Sequence, residues 1–218
     1  MEFVIDSILL VHVSSGIIAL LSALVAASNM KGSKNHRKVG QVFFWSMVVI
    51  GATAIPVTVY RPNPFLFFIA LFSFYMAFAG YRRGRTSYKG TKLDAVVSTS
   101  ALAAFVVMVG IGINMVIGAN QLGWALGTFG LLGVTFASVD LWYYSHEMDH
   151  LKKVEIHLSR MLGGTIATIT AVLVQQVGPM VQDPALQVAL WLSPTFVITP
   201  FIAFWAFRIQ KTKKFKLF

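Results

Sequence analysis

The sequence predicts an all-α fold: one bundle of seven transmembrane helices over residues 1–218, with the N-terminus outside and the C-terminus in the cytoplasm. Three observations carry this expectation. The chain is 56% hydrophobic and only 12% charged, with a mean hydropathy of +0.72, whereas soluble domains are about one-quarter charged. Seven apolar runs are long enough for a hydrocarbon core of about 30 Å, which takes about 20 helical residues. The basic residues, finally, fall almost entirely in alternate connections.

The first run, Ile5–Ser28, follows Met1-Glu2-Phe3 without a basic leader and is long enough to span, so it reads as a helix rather than a cleavable signal. Gly40–Val59 follows the polar stretch KGSKNHRK and contains Pro56. Pro64–Gly80 opens after the turn RPNP. Ala95–Ile117 follows RRGRTSYKGTK and carries Gly110 and Gly112. Leu122–Tyr144 opens after GANQ, with glycines from Gly123 to Gly133. Leu158–Gly178 follows SHEMDHLKKVEIH and carries Gly163-Gly164. Leu186–Phe207 follows PMVQDP and contains Pro194 and Pro200. In lipid, small residues let helix backbones approach closely, and each internal proline frees a carbonyl and can bend its helix.

Orientation follows from the bases. Lys31, Lys34, Arg37 and Lys38 lie at the first connection, and Arg82, Arg83, Arg85, Lys89 and Lys92 at the third. Lys152, Lys153 and Arg160 lie at the fifth, and Arg208, Lys211, Lys213, Lys214 and Lys216 in the tail. With seven alternating helices, all 18 basic residues except Arg61 fall on one side, which the positive-inside rule makes cytoplasmic. The same placement accounts for the net charge of +10 through membrane topology and anionic headgroups rather than nucleic acid. Such a chain belongs in a membrane, with a bacterial inner membrane as the expected location. With no cysteine there is no disulfide, thiolate nucleophile, cysteine zinc site or Fe–S cluster. No lysine lies within the last span before its cytoplasmic end, so a buried retinal Schiff base is excluded.

Short similarities link NHRKVGQ, which opens the second span, to IHLSRMLGG, which opens the sixth; they suggest an internal repeat of the first and last three spans. The stretches HVSSGIIALLSALVAASNMKGSKNHRKVGQVF and HLSRMLGGTIATITAVLV together resemble the bacterial predicted membrane proteins called domain of unknown function 2306. The resemblance covers about a third of the chain. It implies a polytopic membrane protein and points to His12, Gly16, His36, Arg37, Gly40, His157, Arg160 and Met161, but it transfers no activity.

Four of the five histidines, His36, His146, His150 and His157, belong to the cytoplasmic side. If the fifth helix continues past Tyr144, His146 and His150 share a face at i, i+4. Glu147 and His150 then take the Glu-x-x-His spacing found in di-iron bundles. Zinc or iron on these histidines is one expectation, with Asp140 and Arg160 supporting them and Glu147 as a candidate catalytic base. Haem b between His36 and His157 is another. Both imply a redox or hydrolytic role. The bland alternative is a solvated loop at the water boundary. On the outer side, His12 lies within a span at a depth similar to Asn114, Gln175 and Gln176. These residues suggest a polar pocket for a small-molecule carrier or channel. Enzyme, carrier and a structural or assembly role all remain open at this level.

Overall fold

The computed structural model describes residues 2–85 and 89–212; the tail bases Lys213, Lys214 and Lys216 lie outside the described residues. Among the described residues there are seven helices long and apolar enough to cross a membrane. They are α1 (Glu2–Ser28), α2 (Lys34–Tyr60), α3 (Pro64–Arg85), α4 (Lys92–Ile117), α5 (Leu122–Ser145), α6 (His150–Val177) and α7 (Pro184–Thr212). A single 3₁₀ turn, Gly178–Met180, prolongs α6.

Several helices run beyond the apolar stretches. α2 starts at Lys34 rather than Gly40, α3 continues past Gly80 to Arg85, and α6 starts at His150 rather than Leu158. Polar caps set the starts. The Ser33 hydroxyl accepts from the His36 amide, Thr91 and Asp94 form a capping box, and Asp149 accepts from the Lys152 amide at 2.6 Å. α4 stops in a Schellman turn. The Asn120 amide donates to the Met115 carbonyl at 2.8 Å and the Ala119 amide to Val116 at 3.0 Å, with Ala119 at φ +61°.

Two apolar cores hold the bundle. The larger contains Phe72, Tyr75 and Met76 of α3, Phe105 and Met108 of α4, Leu126 and Phe129 of α5 and Trp191 of α7. The smaller contains Ala19 and Ala23 of α1, Phe43 and Met47 of α2 and Ala77 of α3. α3 therefore serves both. The outer faces are also apolar: Leu10, Leu21, Val106, Leu131 and Phe201 are each more than half exposed, as a lipid-facing surface requires.

Glycines let the backbones of α4 and α5 approach closely. A Cβ at Gly112 would lie 2.6 Å from the Gly127 nitrogen. α1 packs along α2, whereas its counterpart in the suggested repeat, α5, packs along α4 and meets α6 through side chains. The packing is therefore not repeated, because the glycine face of α5 takes α4 as its closest neighbour.

Candidate functional site

Polar groups buried among α3, α4, α5 and α6 build one network. Arg83, Asp140 and Arg160 are each 3% exposed. Extending α3 beyond Gly80 places Arg83 on the buried stripe of Phe72, Met76 and Ala79. Arg160 Nε donates to Asp140 Oδ2 at 3.1 Å and Nη2 to Oδ1 at 3.3 Å, a two-pronged grip. The same guanidinium donates to the Phe136 carbonyl at 3.1 Å and lies 4.2 Å from the centre of the Phe136 ring. Tyr75 donates its hydroxyl proton to Asp140 Oδ2 at 2.7 Å. Ser98 Oγ, 3.3 Å from the phenol oxygen, is then free to donate to it.

Arg83 is less completely satisfied. Its Nη2 donates to the Asp140 backbone carbonyl at 3.1 Å and its Nε lies 4.0 Å from Oδ1, but buried Nη1 has no hydrogen-bond partner. Beside it lies a cavity of about 10 Å³ lined by Arg82, Arg83, Asp94, Ser98 and Asp140 among others. That is room for about one water. On its other side Arg82 grips Asp94 at 2.7 and 3.1 Å and reaches Thr91 Oγ1 at 2.7 Å. With both Asp140 oxygens engaged, this assembly braces α3 against α5 and α6. Asp140 does not orient an imidazole, the role expected of it from the sequence; guanidiniums, which supply more donors, occupy it instead. Arg160 thus pairs with Asp140, while Glu155 pairs with Lys152 at 2.8 Å and with Gln210.

The four histidines expected at the basic end do not converge. α5 stops at Ser145, His146 is extended at φ −115° and ψ 143°, and residues 147–149 are not helical. The cause is Asp149, whose side chain caps a new helix. His146 and His150 therefore flank a break and share no helical face, and Glu147 and His150 lose the Glu-x-x-His spacing. Exposed His146 stacks on Trp142, with centroids 4.0 Å apart, and its Nδ1 lies 2.9 Å from the Trp142 carbonyl. Glu147 and His150 are also exposed. Among the described residues, no three His, Cys, Asp or Glu side chains are grouped to hold a metal ion.

His36 and His157 do meet. Their ring centroids lie 6.3 Å apart with planes at 80°. His36 Nδ1 is 3.0 Å from the Ala26 carbonyl and His157 Nδ1 is 2.7 Å from the Gly80 carbonyl. A carbonyl only accepts, so each Nδ1 carries a proton, and Nε2 is the ring nitrogen of each left for another partner. Glycine on α3 admits this packing: a Cβ at Gly84 would lie 2.9 Å from His157 Nδ1, and one at Gly80 would lie 2.9 Å from Met161.

At the opposite end, half-buried His12 lies 2.9 Å from Thr53 Oγ1, whose own proton goes to the Val49 or Ile50 carbonyl. Asn114, Gln175 and Gln176 are exposed and make no hydrogen bond to His12. The expected outer pocket is not formed, because α1 packs on α2 and its threonine satisfies the imidazole.

Tyr75, Arg83, Ser98, Arg82 and Asp94 are absent from the sequence-based site. The stripe 72, 76, 79, 83 was the available signal for Arg83; Thr91-x-x-Asp94 was the signal for the capped end. A comparison with family models, curated proteins and solved structures finds no match to this chain in any of the three.

Proposed function

We propose that this chain is an integral protein of a bacterial cytoplasmic membrane that holds one transition-metal centre between His36 and His157 for a redox role. The N-terminus is outside and the histidine pair faces the cytoplasm, in keeping with the placement of the basic residues. Membership of the domain of unknown function 2306 family is part of this reading and adds no activity to it.

The observation that carries the reading is the geometry of the pair. With metal–nitrogen bonds of about 2 Å and the ring centre about 1 Å behind each nitrogen, imidazoles on opposite sides of one metal have centroids about 6 Å apart. The observed separation is 6.3 Å. Metal-bound histidines also usually donate their second N–H to a carbonyl or carboxylate, which both rings do here. Two histidines suit a haem iron or a low-coordinate ion better than hydrolytic zinc, which takes three protein ligands and an open position. Gly40, one turn after His36, has open space where a Cβ would sit.

Detergent-purified protein is examined by visible absorption and elemental analysis. A Soret band identifies haem; a stoichiometric transition metal without that band identifies a free ion. His36→Ala or His157→Ala removes the signal, and His146→Ala retains it. Metal-free protein from cells supplied with iron, copper and haem precursors refutes the reading.

A further inference from the structure

Between α1 and α2 lies a groove of about 480 Å³, open to the surroundings of the bundle. Small-molecule sites commonly enclose about 300–1,000 Å³. Ser15 of α1 and Lys38, Gln41, Trp45, Ser46 and Val49 of α2 are among its lining residues. Lys38 and Val49 are about 16 Å apart along the helix at 1.5 Å per residue. This is close to half of a hydrocarbon core of about 30 Å, the depth of a single leaflet.

The groove is chemically graded. Its basic end presents the exposed Lys38 ammonium and the Gln41 amide, with Lys34 one turn before Lys38 and Arg37 beside it. α2 contains no carboxylate, and the only acids of α1, Glu2 and Asp6, lie at the far end. Among the described residues Lys38 makes no ion pair. Farther in, the exposed Trp45 ring and Val49 form apolar walls, while the nearly buried Ser15 and Ser46 lie at the floor. A second copy of this chain would have to bury an uncompensated ammonium there, which costs several kcal/mol. A phosphate would instead meet it as a counter-ion.

We propose that this groove seats one anionic phospholipid of the cytoplasmic leaflet, with its phosphate on Lys38 and Gln41 and an acyl chain passing Trp45. The site is independent of the histidine pair and stands or falls separately from the metal-centre reading.

Full-length protein is reconstituted in mixed phosphatidylglycerol and phosphatidylcholine vesicles at one fixed ratio. Bromine is placed on the acyl chains of one lipid or the other. The contribution of Trp45, one of five tryptophans, is obtained as the difference from Trp45→Phe. The expected result is preferential quenching by the brominated phosphatidylglycerol, corresponding to about fivefold tighter relative binding for one juxtamembrane charge. In Lys38→Gln, an exposed substitution, that preference disappears while quenching by brominated phosphatidylcholine persists. Equal quenching by the two lipids in the unaltered protein overturns the proposal, leaving ordinary lipid contact. Absence of quenching by either also overturns it, because protein then covers the groove.

Discussion

Asp140→Asn tests whether charge, and not shape alone, holds the polar network together. The substitution nearly preserves volume and leaves Tyr75 an acceptor. It also leaves Arg83 and Arg160, each 3% exposed, with no carboxylate between them. The amide NH₂ further replaces one of the oxygens that Arg160 grips at 3.1 and 3.3 Å. Removing one member of a buried ion pair destabilises by about 3–5 kcal/mol. At about 2–4 °C per kcal/mol for a chain of this size, the thermal midpoint falls by about 6–20 °C. The assay is thermal unfolding in detergent followed by circular dichroism, with Asp140→Asn/Arg160→Gln measured alongside. Removing one of the two stranded cations restores part of the loss, with a coupling of about 0.5–3 kcal/mol. A midpoint for Asp140→Asn within about 2 °C of the unaltered protein would refute the reasoning, since the guanidiniums would not then depend on that charge.

Four further outcomes are expected, each read as an unfolding midpoint in the same detergent. Gly112→Ala places a methyl 2.6 Å from the Gly127 nitrogen and loses about 1–3 kcal/mol, whereas Gly127→Ala meets nothing within 4 Å and loses nothing. Ala119→Gly, at φ +61°, relieves left-handed strain and gains up to about 1 kcal/mol; a loss of stability would show that the α4 terminus is not under that strain. Tyr75→Phe deletes the 2.7 Å bond to Asp140 and loses about 1–2 kcal/mol, so an unchanged midpoint would show that bond to be unimportant. Lys31, between α1 and α2, donates to the Ala26, Ala27 and Asn29 carbonyls, and partial burial lowers its pKa from the ordinary 10.5. Its folded form therefore releases the proton before the unfolded form does. Its contribution to stability rises with pH from the lowered value up to about 10.5, a rise that Lys31→Met abolishes if it belongs to this side chain.

The spans were legible because lipid imposes length and hydropathy on every helix, and the apolar runs lie inside all seven observed helices. Their ends were less so. Equating helix with apolar run stopped α3 at Gly80 and consigned Arg83 to a loop, although it continues the buried face of Met76 and Ala79. Asp140 and Arg160 were legible as candidate site residues, since opposite charges near one membrane boundary have reason to meet. Their two extra partners were not, because Tyr75 and Arg83 arrive through tertiary packing of α3. The histidine spacing misled for a local reason: Asp149 favours capping α6 over extending α5. His12 misled for another, since Thr53 lies 41 positions away in sequence and nothing short-range announces it.

The three-helix charge brace also bears on how the chain is built. Translation delivers Arg83, then Asp140, then Arg160, each on a different helix. An isolated arginine or aspartate in an inserting segment opposes partitioning, by about 3 kcal/mol at the helix centre and by less toward the helix ends, where these three lie. The carboxylate of the fifth segment thus enters a bilayer where only the third segment can answer it, and Arg160 completes the set last. A nascent chain arrested before residue 160 therefore carries Asp140 without its two-pronged partner.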